Sequence, residues 1–286
     1  MNYRHVYHAG NFADVLKHAV LAAIVVYLQR KEAAFRVMDT HAGPGSYNLT
    51  SEKARKTGEW LTGIGKLDGA TMSNKLKIFL EPWLTAVKSV NNGSDKVLTY
   101  PGSPLLVRQL MRKQDRLSAY ELHPEDAQSL KSLFTGDHQV RITELDGWLS
   151  MGAHLPPKEK RGLVFVDPPF EEAGEFDRMM TGLYRAGQRF PGGTYCFWYP
   201  IKVGTDSAGY HQMLRDLCRA ETLACELWVR DRKTPTGLNG SGLIIVNPPY
   251  TLEAQLTAVM PELTRLLAQD QGAGFLVKKL VAEPKS

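Results

Sequence analysis

The sequence predicts an α/β fold in which a parallel-type sheet carries helices on both faces. Three observations predict it. Short apolar strands alternate with helical stretches along most of the chain, which is the rhythm of strand–helix–strand units. A glycine-rich turn, Gly43-Pro44-Gly45, follows the first strand. Acidic residues close the next three strands, at the carboxyl ends where sheets of this kind bind their ligands.

The elements follow in order. Residues 12–30, FADVLKHAVLAAIVVYLQR, place apolar side chains at helical spacing around most of the surface, so this helix is expected to be deeply buried. Asn11 is its expected N-cap, and Asp14 in the first turn suits the helix dipole. Phe35–Met38 form a short strand running into Asp39. Further strands are expected at 117–124, 139–148, 162–170, 194–200, 222–230 and 242–250. Helices are expected at 104–113, 124–134, 175–188, 207–219 and 251–268. Ser103 before Pro104 reads as an N-cap with proline at the first helical position. Residues 49–98 interrupt the rhythm with helix formers. They are expected to be an inserted helical subdomain, leaving 1–48 and 99–286 as the main domain.

A chain of 286 residues with 43% hydrophobic and 23% charged residues can bury a sizeable core. The net charge of +5 and a pI near 9.0 suit a polyanionic partner such as nucleic acid. Cys196, Cys218 and Cys225 form no CxxC pair, which excludes a disulfide framework and points to a reduced compartment. The polar start has no signal-peptide core, and the run Ala19–Leu28 is about half a bilayer span. A cytoplasmic protein with no membrane segment is expected. No HExxH occurs among the eight histidines, so no metal site is expected. With no heptad pattern, a monomer is the default.

The chemistry concentrates at the strand ends. Gly43 lets a ligand approach the backbone closely, although an ordinary tight turn has the same sequence. Glu121 can accept hydrogen bonds from ribose hydroxyls, and Asp146 from an adenine amino group. Asp167-Pro168-Pro169-Phe170 is the sharpest motif. An exocyclic amino group is a poor nucleophile because its lone pair is delocalised into the ring. The Asp167 carboxylate and the Pro168 carbonyl can each accept one of its N–H groups and turn the lone pair toward an electrophile. The prolines stiffen the loop, and Phe170 offers a flat face for a base lifted from its stack.

A glycine turn, a ribose acid, an adenine acid and then DPPF resemble a Rossmann-like class I S-adenosylmethionine-dependent methyltransferase. DPPF is similar to the [DNS]PP[YFW] motif of amino-methylating nucleic-acid enzymes. The blocks YRHVYHAGNFADVLKH, DTHAGPGSY, YPGSP, ELHP, DG, DPPF, FWYP and SGLIIVNPPY resemble, in one order along nearly the whole chain, the ribosomal RNA large subunit methyltransferase J family. The resemblance implies S-adenosylmethionine as cofactor and N6-methylation of adenine 2030 in 23S rRNA. The small net charge suggests modest non-specific affinity, so free rRNA is the expected substrate form. It implies that His18, His41, Ser103, Glu121, Asp146 and Gly147 line the cofactor site beside Gly43. It places Tyr3 and His5 near the target adenosine, Lys17 close to the site, and Asp167 as the amino-group acceptor. Phe170 stands where tyrosine is common. A role in using external DNA is a second implication of the resemblance.

Other readings compete. Asn247-Pro248-Pro249-Tyr250 looks like the signature of glutamine-side-chain methyltransferases, or else a structural turn. Arg230, Arg232 and Lys233 precede a loop able to grip a phosphate backbone, or simply a solvated turn. Trp60, Trp83 and Trp148 are expected in the core. A non-catalytic nucleic-acid-binding protein would keep the basic surface but would not need three strand-end acids.

Overall fold

The computed structural model describes residues 7–94, 96–171, 174–235 and 237–282. Tyr3 and His5 fall outside the described residues. Ten strands and nine α-helices are described: α1 (Phe12–Leu28), β1 (Arg36–Asp39), β2 (Ser46–Asn48), α2 (Glu52–Thr57), α3 (Asn74–Val90), β3 (Thr99–Pro101), α4 (Ser103–Leu110), β4 (Arg116–Glu121), α5 (Pro124–Leu133), β5 (Val140–Glu144), α6 (Gly147–Ala153), β6 (Gly162–Val166), α7 (Glu175–Arg189), β7 (Thr194–Ile201), α8 (Ser207–Leu217), β8 (Thr222–Trp228), β9 (Gly240–Val246), α9 (Leu252–Leu267) and β10 (Gly274–Val281).

Eight strands form one sheet in the order β10-β8-β9-β7-β6-β1-β4-β5. From β5 to β7 all neighbours are parallel. Such strands are covered on both faces, which explains why β6 is an unbroken apolar run with every residue buried. Alternate strand residues feed two cores. Val37, Leu117, Leu163, Phe165 and Ile245 pack with α1, α3, α4 and α9. Met38, Val164, Val166, Phe197 and Ile244 pack with α6, α7 and α8. The period of two thus divides each strand between the two helical layers.

The other end of the sheet corrects the parallel reading. β9 runs antiparallel to both β7 and β8, and β10 runs antiparallel to β8. No helix separates β8 from β9, so no parallel crossover is available. β10 was missed at the sequence level because Lys278 and Lys279 break its apolar pattern. Lysines on an outermost strand block further edge pairing.

α1 meets the sheet, α3, α4 and α9, which is why it is apolar nearly all round. Asn11 caps it, accepting the N–H groups of Ala13 and Asp14. Residues 49–98 carry α2, two short 3-10 turns and α3. β2 and β3, the strands on either side of them, pair antiparallel as a two-stranded ribbon. Leu76, Leu80 and Trp83 of α3 join the core that surrounds α1. Trp60 packs at the edge of that core, and Trp148 lies against the other.

Candidate active site

Sheet register assembles the site. Asp39 ends β1, flanked in register by Ala119 of β4 and Phe165 of β6. Two residues further along those neighbours come Glu121 and Asp167. Glu121 is in turn level with Glu144 of β5, and Asp146 lies two residues beyond. Four carboxyl groups from four adjacent strands therefore meet at one edge of the sheet.

Most of the expected residues line one cavity of about 290 Å³: His18, His41, Gly43, Ser103, Glu121, Asp146, Gly147, Asp167 and Pro168. Lys17 and Phe170 line a second cavity of about 460 Å³, together with His8, Asn11 and Trp198. Pro169 belongs to both. The loop carrying Asp167 is thus a partition between two chambers.

Each wall of the first chamber has a local cause. Gly43 sits at φ +60, and a Cβ there would lie 2.6 Å from the Tyr47 hydroxyl. A Cβ on Gly147 would meet the Thr40 carbonyl oxygen at 2.1 Å, so only glycine lets α6 start this close to β1. Glu121 accepts the backbone N–H groups of Gly43 and His123, each at 2.7 Å. Burial pushes its carboxyl pKa up, more than those two N–H groups pull it down. Asp146 caps α6, accepting the Trp148 N–H at 2.9 Å. His18 bonds the Tyr100 hydroxyl through Nδ1 at 2.7 Å and stacks on that ring. His41 bonds Thr40 Oγ1 at 2.8 Å and meets Trp148 edge-on. Burial drives its pKa down to about 3, so it stays a neutral imidazole.

Ser103 needs a correction. Gly102 occupies the N-cap position of α4, and Ser103 is its first helical residue, with no side-chain capping bond. Its hydroxyl faces Asp39 instead. Asp39 was noticed only as the end of the first strand, yet it is fully buried beside the cavity. Burial lifts its carboxyl to about 7; Ser103 and the His41 N–H oppose the rise, while Asp167 and Glu121 add to it.

Lys17 was expected near the site, and its place is specific. Its side chain is only 2% exposed, with Nζ 2.5 Å from Asp167 Oδ2 and 3.1 Å from Asp14 Oδ1. It also lies 4.8 Å from the centre of the Trp198 ring. Burial lowers the lysine pKa, but Asp167 and Asp14 outweigh it and the net shift is upward. The ammonium is therefore a fixed cation behind the carboxylate. Asp14 also accepts the Gly10 N–H at 2.8 Å, so it does more than complement the helix dipole.

Phe170 departs from the ordinary backbone, with φ +50. That conformation is costly for an aromatic residue and is tolerated where surroundings enforce it. Its ring meets Phe176 and Trp198 edge-on, which fixes it as a wall of the second chamber.

Asn247-Pro248-Pro249-Tyr250 lies elsewhere. β9 runs antiparallel to β7, with Val246 level with Tyr195 near the start of β7. The motif therefore sits at the opposite edge of the sheet from Asp167. The Asn247 amide donates to the carbonyls of Pro191 and Gly193, and its φ of +50 suits asparagine. Tyr250 is 76% exposed. The motif is a structural turn. Asn247→Ala is expected to lower stability by about 1–2 kcal/mol, from two lost hydrogen bonds and the strained φ, with unchanged activity. Denaturant unfolding beside a turnover assay checks this; a loss of turnover at unchanged stability would contradict it.

The basic stretch also changes meaning. Arg230 donates to the Leu238 carbonyl, and Arg232 to Glu226 and Ser207. Both hold their own loop together. Among the described residues no group of three or more His, Cys, Asp or Glu could hold a metal ion, and no helix is long and apolar enough to cross a membrane.

The family described as "Ribosomal RNA large subunit methyltransferase D, RlmJ" matches residues 32–279. A Haemophilus influenzae protein named ribosomal RNA large subunit methyltransferase J is 37% identical over 283 residues, covering 99% of this chain and all of the relative. The Escherichia coli protein of the same name is 40% identical over 264 residues, 91% of this chain and 92% of the relative. The crystal structure of a Legionella pneumophila protein superposes with a TM-score of 0.85 at 31% identity, over 95% of this chain and 98% of that one.

Proposed function

The chain belongs to the RlmJ family of ribosomal RNA large subunit methyltransferases, and from that membership we propose that it methylates N6 of an adenine in 23S rRNA, at position 2030, using S-adenosylmethionine. The observation that carries this reading is the partition. Asp167 faces a chamber ringed by acids and a glycine turn, and the same loop borders a second chamber walled by Phe170 and Trp198.

The residues of the first chamber suit that cofactor. Its adenosine carries hydroxyl and amino donors, and Glu121 and Asp146 are acceptors on neighbouring strands. Its sulfonium and ammonium charges suit a chamber lined by Glu121, Asp146 and Asp167, with Asp39 buried beside it. The close approach of backbone at Gly43 and Gly147 leaves space that side chains would fill. When bound, S-adenosylmethionine supplies an electrophilic methyl group.

The chain's own residues do the rest. Asp167 and the Pro168 carbonyl accept the two N–H groups of the target adenine and fix the amino nitrogen. Lys17 holds the Asp167 carboxylate in place from behind. Phe170 and Trp198 offer apolar faces to a base drawn out of its stack. Tyr3, His5 and Lys17 are proposed to border that base. We assign 49–98 as an insertion in the methyltransferase domain, the β2–β3 ribbon being its stem. Free 23S rRNA and a monomeric enzyme complete the reading.

Labelled S-adenosylmethionine offered with undermodified 23S rRNA, DNA and protein fractions is the test. Label recovered as N6-methyladenosine from RNA is the expected result, and faster methylation of assembled subunits than of free rRNA would overturn the substrate form.

Asp39 adds a pH dependence. A cationic ligand favours its ionised form, so binding lowers its pKa from about 7 and releases a proton. Cofactor affinity is expected to rise as pH climbs toward about 7, by at most about tenfold per unit, and to level off above it. Asp39→Asn should flatten the profile. Calorimetry in two buffers of different ionisation enthalpy reads the released proton directly, and a flat wild-type profile would remove this role.

A further inference from the structure

The second chamber has a wall supplied by the loop between β8 and β9. Pro235, Gly237 and Leu238 line the chamber together with Lys17 and Phe170. Nothing in the chemistry above explains what fixes them. The loop is built around one buried acid. Glu226 on β8 is 1% exposed, and its Oε1 accepts the Tyr199 hydroxyl at 2.7 Å. Its Oε2 accepts Arg232 Nη1 at 3.0 Å. The second nitrogen of that guanidinium donates to Ser207 Oγ at the start of α8, at 2.7 Å. The guanidinium carbon lies 4.9 Å from the centre of the Trp228 ring. Arg232 is thus held by a carboxylate and an aromatic face of β8 and by a hydroxyl at the start of α8. Lysine could not reproduce that fork.

The anchored backbone is then braced to the chamber wall. Asn239, fully buried, donates through Nδ2 to the carbonyls of Arg232 and Thr234. Arg230 donates to the Leu238 carbonyl at 3.2 Å. The N–H of Asn239 bonds the Ile201 carbonyl, tying the loop to the end of β7. A rigid path therefore runs from Glu226 through Arg232 and Asn239 to Leu238. Burying a carboxylate is costly unless it is paired, and a solvated turn would need none.

We propose that Arg232, anchored by Glu226, is a positioning residue that holds Pro235, Gly237 and Leu238 as a wall of the acceptor chamber and thereby sets productive binding of the target nucleotide, without touching cofactor or nucleotide. This rests on the reading of the second chamber as the acceptor site. Removing the anchor leaves the cofactor chamber intact, because none of these residues lines it.

The test uses the full chain, undermodified 23S rRNA and labelled S-adenosylmethionine. Arg232→Met alone leaves Glu226 buried without its cation and can fail to fold, so the double variant Glu226→Gln/Arg232→Met, which removes both charges, is the main one. The expected result is a loss of about tenfold or more in kcat/KM for rRNA, cofactor Kd within about twofold of wild type, and faster amide exchange over 231–239. Arg232→Lys should recover part of the loss. A folded double variant with wild-type kcat/KM, or one that loses cofactor affinity to the same degree, would overturn the proposal. A wild-type protein inactive on rRNA would instead overturn the functional reading.

Discussion

Asp167→Ala is expected to lower kcat for methyl transfer by roughly 10³-fold or more, while cofactor and RNA affinities stay within a few fold. In the proposed mechanism the carboxylate is one of two acceptors for the amino group, and alanine replaces neither its charge nor its geometry. The lost interaction matters most as the nitrogen becomes tetrahedral, so kcat falls more than KM rises. Asp167→Asn is the sharper control. It keeps the shape but offers an acceptor of reduced strength and a competing donor, so intermediate loss is expected. Single-turnover transfer to undermodified 23S rRNA measures both variants. Retained turnover in Asp167→Ala would move catalysis off this loop, whereas lost RNA binding with normal turnover at saturation would make it a binding loop.

Lys17→Met is expected to have the second large effect, on stability as well as on methyl transfer. Lys17 sits between Asp14, which is fully buried, and Asp167. Removing the cation leaves two carboxylates facing each other in a water-poor place, at a cost of about 3–5 kcal/mol. The sign of the pH dependence follows. The lysine pKa is raised in the fold, because the two acids outweigh the lowering by burial. Its stabilising contribution is therefore complete below the unfolded lysine pKa, and it is lost only as pH climbs through the higher folded value. In the variant, acidification should recover stability by neutralising an acid, which the wild type does not need. Thermal unfolding at about pH 5 and about pH 8 reads the difference. Equal melting temperatures for variant and wild type at the higher pH would mean that the ion pair contributes nothing.

The sequence by itself determined seven of the ten described strands, most of the helices and the order of the site's acids. These depend on local physics. Period-two and period-3.6 burial patterns, the Asn11 cap and the glycine turn act within a few residues of chain, and Asp167 follows directly on an unbroken apolar strand. Family resemblance added the cofactor and the substrate, which no local pattern contains. Tertiary structure alone decided which groups meet. Lys17 and Asp167 are 150 residues apart, and nothing in the helix that carries Lys17 says which acid it will face. Ser103 looked like a cap until docking of α4 turned it toward Asp39, and Arg232 read equally as a phosphate contact or a solvated turn until Glu226 claimed it. The antiparallel end of the sheet likewise sent Asn247 to the edge away from the chemistry. The physical reason is common to all of these. Apolar patterning says that a face will be buried, whereas pairing of buried charges depends on which elements dock beside it, and that is settled only when the whole sheet is assembled.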